Sequence, residues 1–189
     1  SVNIRKLAVI GPNVKQFRIM GGGSSSLKPH YISAPLDALS DKFPNMDIAW
    51  QTGCPTYKYI PGPDSALLSP ALGNDPKMAP GLRVKFFRDI ALQDVIRERV
   101  IGQSTVHASL LAGSAKAMTL EGFYHCPSSG RYTFGLLSTG RCRMSVNGQE
   151  IIDNWTSPEP GDAFFMQGTS EVRAELLLEA GENIFLEMV

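Results

Sequence analysis

The feature that most constrains the fold is a regular alternation of apolar and polar residues that begins after Gly81. Successive side chains of a β-strand point to opposite faces, so a period of two predicts strands with one buried face. The alternating segments begin at Leu82, Met118, Tyr132, Cys142, Val172 and Ile184. Short turns separate them, and Asn147-Gly148 is the strongest hairpin signal. The pattern predicts an antiparallel β-sandwich or β-barrel, with a short helix over Gln93–Arg99 left open as a local alternative.

The first part of the chain has a different pattern. A short apolar run, Leu7–Ile10, ends at a Gly-Pro-Asn turn, a helix start follows at Pro35, and Asp47–Trp50 is typical of a second strand. This order predicts the beginning of a parallel α/β unit. Proline, glycine and serine are then frequent up to residue 80. We therefore predict a mainly β chain with a partial α/β domain at 1–60, a linker at 61–80 and a β-domain at 81–189.

Composition narrows the classes of partner. Lysine and arginine total 18, as do aspartate and glutamate, and 43% of the residues are hydrophobic. The balanced charge argues against nucleic acid and against a charged membrane surface as partners. Hydrophobic runs stay well short of the roughly 20 residues of a membrane-spanning helix. Localisation is left open between secreted and cytoplasmic, because it depends on what precedes Ser1.

Cysteine and histidine spacing gives no sign of a metal site. The three cysteines, Cys54, Cys126 and Cys142, have neither zinc-ligand nor C-x-x-C spacing. They are expected to be small buried side chains, with a Cys126–Cys142 bridge as the alternative. The histidines are widely spread in the sequence. We predict no metal and no cofactor.

Two groups of motifs together resemble one enzyme family. The first group comprises Lys6–Asn13 (KLAVIGPN), Gly21–Tyr31 (GGGSSSLKPHY) and Ala34–Leu39 (APLDAL). It resembles the opening of the second domain of fungal-type family 3 β-glucosidases. The second group comprises Glu121–Tyr124, Ser129–Gly135, Val146–Thr156 and Gly161–Glu171. It is similar to the protective-antigen-type β-domain that is inserted into a subset of those glycoside hydrolases.

The resemblance implies a non-catalytic role. Family 3 enzymes are retaining glycosidases, which need two carboxyl groups about 5 Å apart. In the family the nucleophile belongs to a preceding barrel domain and the acid/base to a later part of the second domain. Neither falls within these residues, so we predict no catalytic residue here and expect no hydrolysis by the family mechanism. Whether this chain is an enzyme of another kind is left open.

The function implied is a carbohydrate-binding module that shapes the substrate specificity of a family 3 β-glucosidase-like glycoside hydrolase. Its expected partners are β-linked glucosides or another small molecule, and the remainder of the glycosidase polypeptide. Two alternatives stay open. The chain could be a truncated stand-alone member that binds a small molecule or glycan, or is recruited to a non-hydrolytic reaction. It could also be a structural interaction module.

Sugar recognition needs paired hydrogen-bonding groups and aromatic faces. On these grounds the predicted carbohydrate-binding residues are Asp153, Asn154 and Trp155. The resemblance implies that Asp162, Phe164, Gly22, Gly23 and Ser24 also lie near the sugar. The alternatives are a hairpin end with Trp155 packed on the core, a Gly-Asp turn at Asp162 with core phenylalanines, and a flexible glycine connection. Asn154-Trp155-Thr156 also fits the N-glycosylation sequon, which matters only in a secreted protein.

Overall fold

The structure is a computed structural model that describes residues 4–15, 29–54, 56–73, 79–106 and 113–189. The chain divides into two compact units, Ser1–Lys58 (unit 1) and Tyr59–Val189 (unit 2). Among the described residues, no helix has both the length and the apolar character that a membrane crossing needs.

The described part of unit 1 contains one parallel strand pair and one α-helix. Strand β1 (Lys6–Ile10) is followed by a 3-10 turn (Pro12–Val14), helix α1 (Pro35–Lys42) and strand β2 (Asp47–Gln51). The strands pair in parallel from Lys6↔Asp47 to Ile10↔Gln51. Pro35 begins α1 because proline lacks the N–H that has no partner in the first helical turn. The predicted partial α/β unit is confirmed.

Trp50 ties the end of β2 to the turn after β1. Its indole Nε1 donates a hydrogen bond to the Gly11 carbonyl oxygen at 2.8 Å. The Lys15 ammonium lies 5.4 Å from the centre of the Trp50 ring, within the range of a cation–π contact. These contacts order the turn in which the short apolar run of β1 ends.

The described part of unit 2 contains nine antiparallel strands. Their bounds are β3 (Leu68–Ser69), β4 (Leu82–Phe87), β5 (Val95–Ile101), β6 (Ala117–His125), β7 (Gly130–Leu136), β8 (Cys142–Val146), β9 (Gln149–Asn154), β10 (Val172–Leu178) and β11 (Asn183–Met188). A seven-stranded sheet has the order β5-β4-β6-β11-β8-β9, with β3 also pairing with β6. Strands β7 and β10 form a separate two-stranded sheet, and a short helical turn, α2 (Ala163–Met166), lies between β9 and β10.

The two sheets enclose the core of a β-sandwich. Leu136 and Leu178 of the two-stranded sheet pack with residues of the seven-stranded sheet, namely Met144, Val146, Ile152, Ile184 and Leu186. A second cluster, centred on Phe86, Leu82 and Val84, continues the core toward β4. Burying each such side chain stabilises the fold by roughly 1.5–3 kcal/mol. The predicted antiparallel, mainly β architecture is confirmed.

The turn at Asn147-Gly148 explains why β8 and β9 form a tight hairpin. Both residues have positive φ, 51° and 79°. A two-residue hairpin turn of this kind needs positive φ at both positions, and asparagine and glycine tolerate it best. The Asn147 side-chain oxygen also accepts a hydrogen bond from Phe185 N at 2.8 Å, which joins the turn to β11.

The short helix considered for Gln93–Arg99 is wrong, because the segment forms strand β5 from Val95. The turn before it is fixed by the Asp89 carboxylate, which accepts a hydrogen bond from Asp94 N at 2.7 Å. Pairing with β4, together with β-branched residues that favour extended backbone, outweighs the weak helical pattern.

Residues 61–80, predicted as a linker, include strand β3, and Leu68 is buried in the core. The predicted boundaries at 60 and 80 stay predictions. The three cysteines are free thiols, so the alternative Cys126–Cys142 bridge is absent from the structure. Cys126 is buried and Cys142 half-buried as expected, whereas Cys54 is exposed. Burial raises the pKa of the Cys142 thiol to about 11, so this thiol is protonated near neutral pH.

Candidate functional site

An open cleft of about 280 Å³ lies between two connections of unit 2. One wall is the β7–β8 connection, which contributes Thr139, Gly140 and Arg141. The other wall belongs to residues 155–171, which join β9 to β10 and are called the cleft loop. It contributes Pro158, Pro160, Met166, Gln167, Gly168 and Thr169. The cleft adjoins the segment in which the sequence predicts sugar contacts.

The cleft loop closes on itself through its own backbone. Gly161 N donates to Gly168 O at 2.9 Å, and Ser170 N donates to Glu159 O at 2.8 Å. Gly161 is required at this close approach, because a Cβ there would lie 2.4 Å from the Thr169 carbonyl oxygen. An isolated antiparallel bridge, Pro160↔Thr169, thus closes the loop, and the α2 turn lies at its tip.

Asn154 lies beneath the cleft and joins its two walls. The side chain is 1% exposed, and its Nδ2 donates to Ser138 Oγ at 3.2 Å and to Thr169 Oγ1 at 2.8 Å. Thr169 N in turn donates to Ser138 O at 2.8 Å. The buried Asn154 Oδ1 has no hydrogen-bond partner among the described residues. Asn154 thus links the two walls of the cleft, and a glycan on Nδ2 would replace one of its two N–H donors and so remove at least one of these hydrogen bonds.

Asp153 lies in β9, two residues before the cleft loop. Its Oδ1 accepts hydrogen bonds from Trp155 N at 2.8 Å and from Thr156 N at 2.9 Å, an Asx-type turn. The Thr156 side chain, the two backbone N–H groups and nearby Arg143 together lower the pKa of Asp153 to about 2. One carboxylate oxygen is therefore engaged in holding the loop.

Trp155 lies under an arginine. The Arg143 guanidinium is 4.9 Å from the centre of the Trp155 ring, and its Nη1 is 3.5 Å from Glu150 Oε2. The half-buried ring therefore has one face covered by a paired cation. Stacking of a sugar on that face would require Arg143 to move.

Asp162 and Phe164 lie at the tip of the cleft loop. The Tyr59 hydroxyl donates a hydrogen bond to Asp162 Oδ1. Half-buried Phe164 packs close to Gly168, where an added Cβ would be 2.7 Å from the Phe164 ring. Gly22, Gly23 and Ser24 lie outside the described residues. The structure thus places Asn154 in contact with both walls of the cleft, Asp162 and Phe164 in the cleft loop, and Asp153 just before that loop.

The sequence analysis did not identify Arg141 as a candidate, although two other arginines, Arg131 and Arg143, lie on the neighbouring strands. Arg131 is paired with Glu175 at 2.9 Å and Arg143 with Glu150. Arg141, by contrast, is exposed at the rim of the cleft with no ion pair or hydrogen bond to any described residue. The signal that distinguishes Arg141 is its place directly after the Ser-Thr-Gly turn, before the β8 alternation begins.

No cluster of three or more histidine, cysteine, aspartate or glutamate side chains in the described ranges could hold a metal ion. The lining residues instead offer a guanidinium, an amide, a hydroxyl and the apolar surfaces of proline and methionine. This set can donate and accept hydrogen bonds with a neutral polyhydroxylated ligand.

Comparisons with known proteins give one match to the β-domain and several matches to almost the whole chain. The model of the family described as "PA14 domain" matches residues 86–183. "Probable beta-glucosidase K" of Aspergillus fumigatus is 31% identical over 183 residues, which cover 95% of this chain and 22% of that protein. "Probable beta-glucosidase H" of Emericella nidulans is 31% identical over 191 residues, covering 96% and 21%. The chain therefore spans about a fifth of the length of these relatives.

A solved structure is similar along almost the entire chain. The β-glucosidase of Kluyveromyces marxianus in complex with glucose has a TM-score of 0.77 and 25% identity. The match covers 98% of this chain and 23% of that protein. The selenomethionine-labelled form of the same enzyme gives a TM-score of 0.74 and 26% identity.

Proposed function

The chain belongs to the PA14 domain family, and from that premise we propose that it is a non-catalytic, sugar-binding part of a family 3 β-glucosidase-like glycoside hydrolase. One observation carries the proposal. The similarity to fungal β-glucosidases runs through unit 1 and unit 2 in a single match over 95% of the chain. An isolated resemblance of the β-domain alone would not favour this class of enzyme over the other proteins that contain such domains.

The cleft supports sugar binding in this role. Ligand pockets usually have volumes of about 300 Å³ or more, so a cleft of about 280 Å³ suits one sugar residue better than a long oligosaccharide. Arg141, Gln167 and Thr139 could hydrogen-bond to the hydroxyl groups of that residue. In a complete glycosidase, a cleft of this size would hold one part of a β-linked glucoside and so affect which substrates fit.

The chemistry of the cleft favours binding over hydrolysis. A retaining glycosidase needs a nucleophile and an acid/base carboxyl group about 5 Å apart. Among the described residues that line the cleft, none is an aspartate or a glutamate. We therefore place the reaction of the parent enzyme outside this cleft.

Titration calorimetry of the chain with glucose, cellobiose and laminaribiose tests the proposal. We expect saturable binding of at least one sugar, weakened by roughly tenfold in Arg141→Ala, which corresponds to the loss of one or two hydrogen bonds to a charged donor. Arg131→Ala is the matched control, since Arg131 lies on β7 and pairs with Glu175. Absence of saturable binding to all three sugars would support a structural interaction module instead. Turnover of an aryl β-glucoside by the chain would contradict the non-catalytic assignment.

A further inference from the structure

The first two residues of unit 2, Tyr59 and Ile60, contact the cleft loop at its tip and at its end, and we call them the strap. Tyr59 donates its hydroxyl hydrogen to Asp162, next to the α2 turn. Ile60 donates its backbone N–H to Glu171 Oε1 at 2.7 Å, where the loop joins β10. Two neighbouring residues therefore bind two points of the loop that are nine positions apart in the sequence.

Glu171 is the central residue of this arrangement. Its side chain is only 7% exposed. Its second oxygen, Oε2, accepts a hydrogen bond from Arg173 Nε at 2.6 Å and lies 2.5 Å from Arg173 Nη2. A buried carboxylate is stable only when its oxygens are paired in this way. The pairing fixes Glu171 in the orientation that accepts the Ile60 N–H.

Gly135 on β7 leaves the space that the contact needs. A Cβ at this position would lie 2.7 Å from Glu171 Oε1 and 3.2 Å from Ile60 Cδ1. Glycine inside a strand weakens it, because it has no side chain to pack and loses more backbone entropy on folding. The glycine here is explained by the close approach of the strap and Glu171.

The cleft loop is thus held from two sides. On the core side, Asn154 and Ser138 bind Thr169. On the other side, the strap binds Asp162 and Glu171. Between these points lies the α2 turn, with Met166 75% exposed at the cleft. Because both sides fix the same short loop, loss of either set of contacts would let the loop wall of the cleft shift.

We propose that the strap sets the position of the cleft loop, with Glu171 as the positioning residue, and thereby sets the affinity of the cleft for sugar. The second part of this inference rests on the proposed function. The first part concerns the loop alone and holds whether or not a sugar binds. Any change that draws Tyr59 and Ile60 away from the loop would then weaken the cleft without touching a residue that lines it.

Amide hydrogen exchange of the full chain tests the position of the loop without any ligand. In Tyr59→Phe, which removes only the phenolic hydroxyl, we expect the amides of residues 161–170 to exchange about five- to tenfold faster. We expect the same direction in Gly135→Ala, because the new methyl group displaces Glu171 from Ile60. A strand glycine with no such neighbour would instead tolerate alanine or gain stability from it.

Two matched controls isolate the strap. Tyr57→Phe changes an exposed tyrosine that precedes the strap, and Glu175→Ala removes an exposed carboxylate from β10 that pairs with Arg131. Neither should change exchange in residues 161–170. Unchanged exchange in Tyr59→Phe would overturn the proposal even if Gly135→Ala failed to fold.

Calorimetry with the best-binding sugar of the three separates the two proposals. Two results in Tyr59→Phe, faster exchange and at least threefold weaker sugar binding, together support both the positioning role of the strap and the proposed function. A threefold loss of affinity is no larger than the effect of losing one hydrogen bond. Faster exchange in a chain that binds no sugar supports the positioning role of the strap and overturns the proposed function and the link to affinity. Faster exchange with unchanged affinity overturns the link to affinity alone.

Discussion

The two units of the chain differ in how their side chains are buried. In the described part of unit 1, Ala34 is the only fully buried hydrophobic residue, and the strands β1 and β2 alternate between exposed and half-buried positions. Unit 2 contains a continuous core in which Val84 and Phe86 are 0% exposed. Regular secondary structure can therefore form in both units while most of the stabilisation from apolar burial lies in unit 2.

The largest expected effect comes from opening the core of unit 2. Phe86→Ala should lower the free energy of unfolding of unit 2 by about 3–5 kcal/mol, through lost burial and the cavity left behind. Fluorescence of Trp155 in a Trp50→Phe background reports unfolding of unit 2 during urea denaturation. In unit 1, Ile10→Ala is the contrasting change, since Ile10 is 71% exposed. It should alter the stability of unit 1 by no more than about 0.5 kcal/mol, as measured by Trp50 fluorescence in a Trp155→Phe background. Similar losses for both would contradict the contrast between the units.

A smaller effect is expected from removing the buried amide beneath the cleft. Asn154→Ala deletes the hydrogen bonds to Ser138 and Thr169 and should lower the free energy of unfolding by about 1–3 kcal/mol. Urea denaturation measures this loss, with Gln103→Ala as an exposed amide control that should leave stability unchanged. An unchanged free energy of unfolding in Asn154→Ala would mean that the two walls of the cleft hold together without the Asn154 side chain.

The backbone conformation of the β8–β9 turn should contribute less to the free energy of unfolding of unit 2 than the Asn154 amide does. Gly148→Ala places a methyl group at a φ of 79° and should lower the free energy of unfolding by about 1 kcal/mol. Gly140→Ala is the matched control, because no heavy atom lies within 4 Å of an added Cβ there and its φ is not positive. Equal effects at the two glycines would show that the turn conformation does not limit the stability of unit 2.

The smallest effect concerns acid stability. The pKa of Asp153 is lowered from 3.8 to about 2, first by the Thr156 side chain. A lowered pKa in the folded state gives stability that is present above pH 3.8 and is lost as the pH falls through about 2. Asp153→Asn should therefore flatten the pH dependence of unit 2 stability in that window. Thermal melts from pH 5 to 2 measure this pH dependence, and Asp37→Asn, a change at an exposed position of α1, is the control. If the melting temperature changed equally with pH in the original chain and in both variants, a role for Asp153 would be excluded.

Much of the fold was predictable because its signals are local. The alternation after Gly81 fixes which side chains face the core, and Asn147-Gly148 has the one sequence that best suits a tight hairpin turn. The resemblance to β-glucosidases with a protective-antigen-type domain is confirmed by the family match and by the relatives. Strand β5 was missed, since its extended form depends on pairing with β4, a partner that the local pattern does not reveal.

The candidate site was harder to predict, because it depends on contacts between residues distant in sequence. The sequence shows that Asp153, Asn154 and Trp155 are polar or aromatic. It does not show that Asp153 accepts hydrogen bonds from loop amides, that Asn154 donates to Thr169, or that Arg143 covers the Trp155 ring. It also cannot show that Arg131 and Arg143 each have an acidic partner whereas Arg141 has none among the described residues. The eight predicted sugar-binding residues stay predictions, and the cleft adds Arg141 and Gln167 to the residues to be tested.

Strand β5 forms one edge of the seven-stranded sheet. An open edge offers unpaired backbone groups to any other extended chain, which is a common route to aggregation. The centre of β5 is Arg97-Glu98-Arg99, and all three residues are exposed. Adding a strand there would press charged side chains against a neighbour, so this edge is protected against self-association. We therefore expect a variant with these three residues neutralised to aggregate at a lower protein concentration than the original chain.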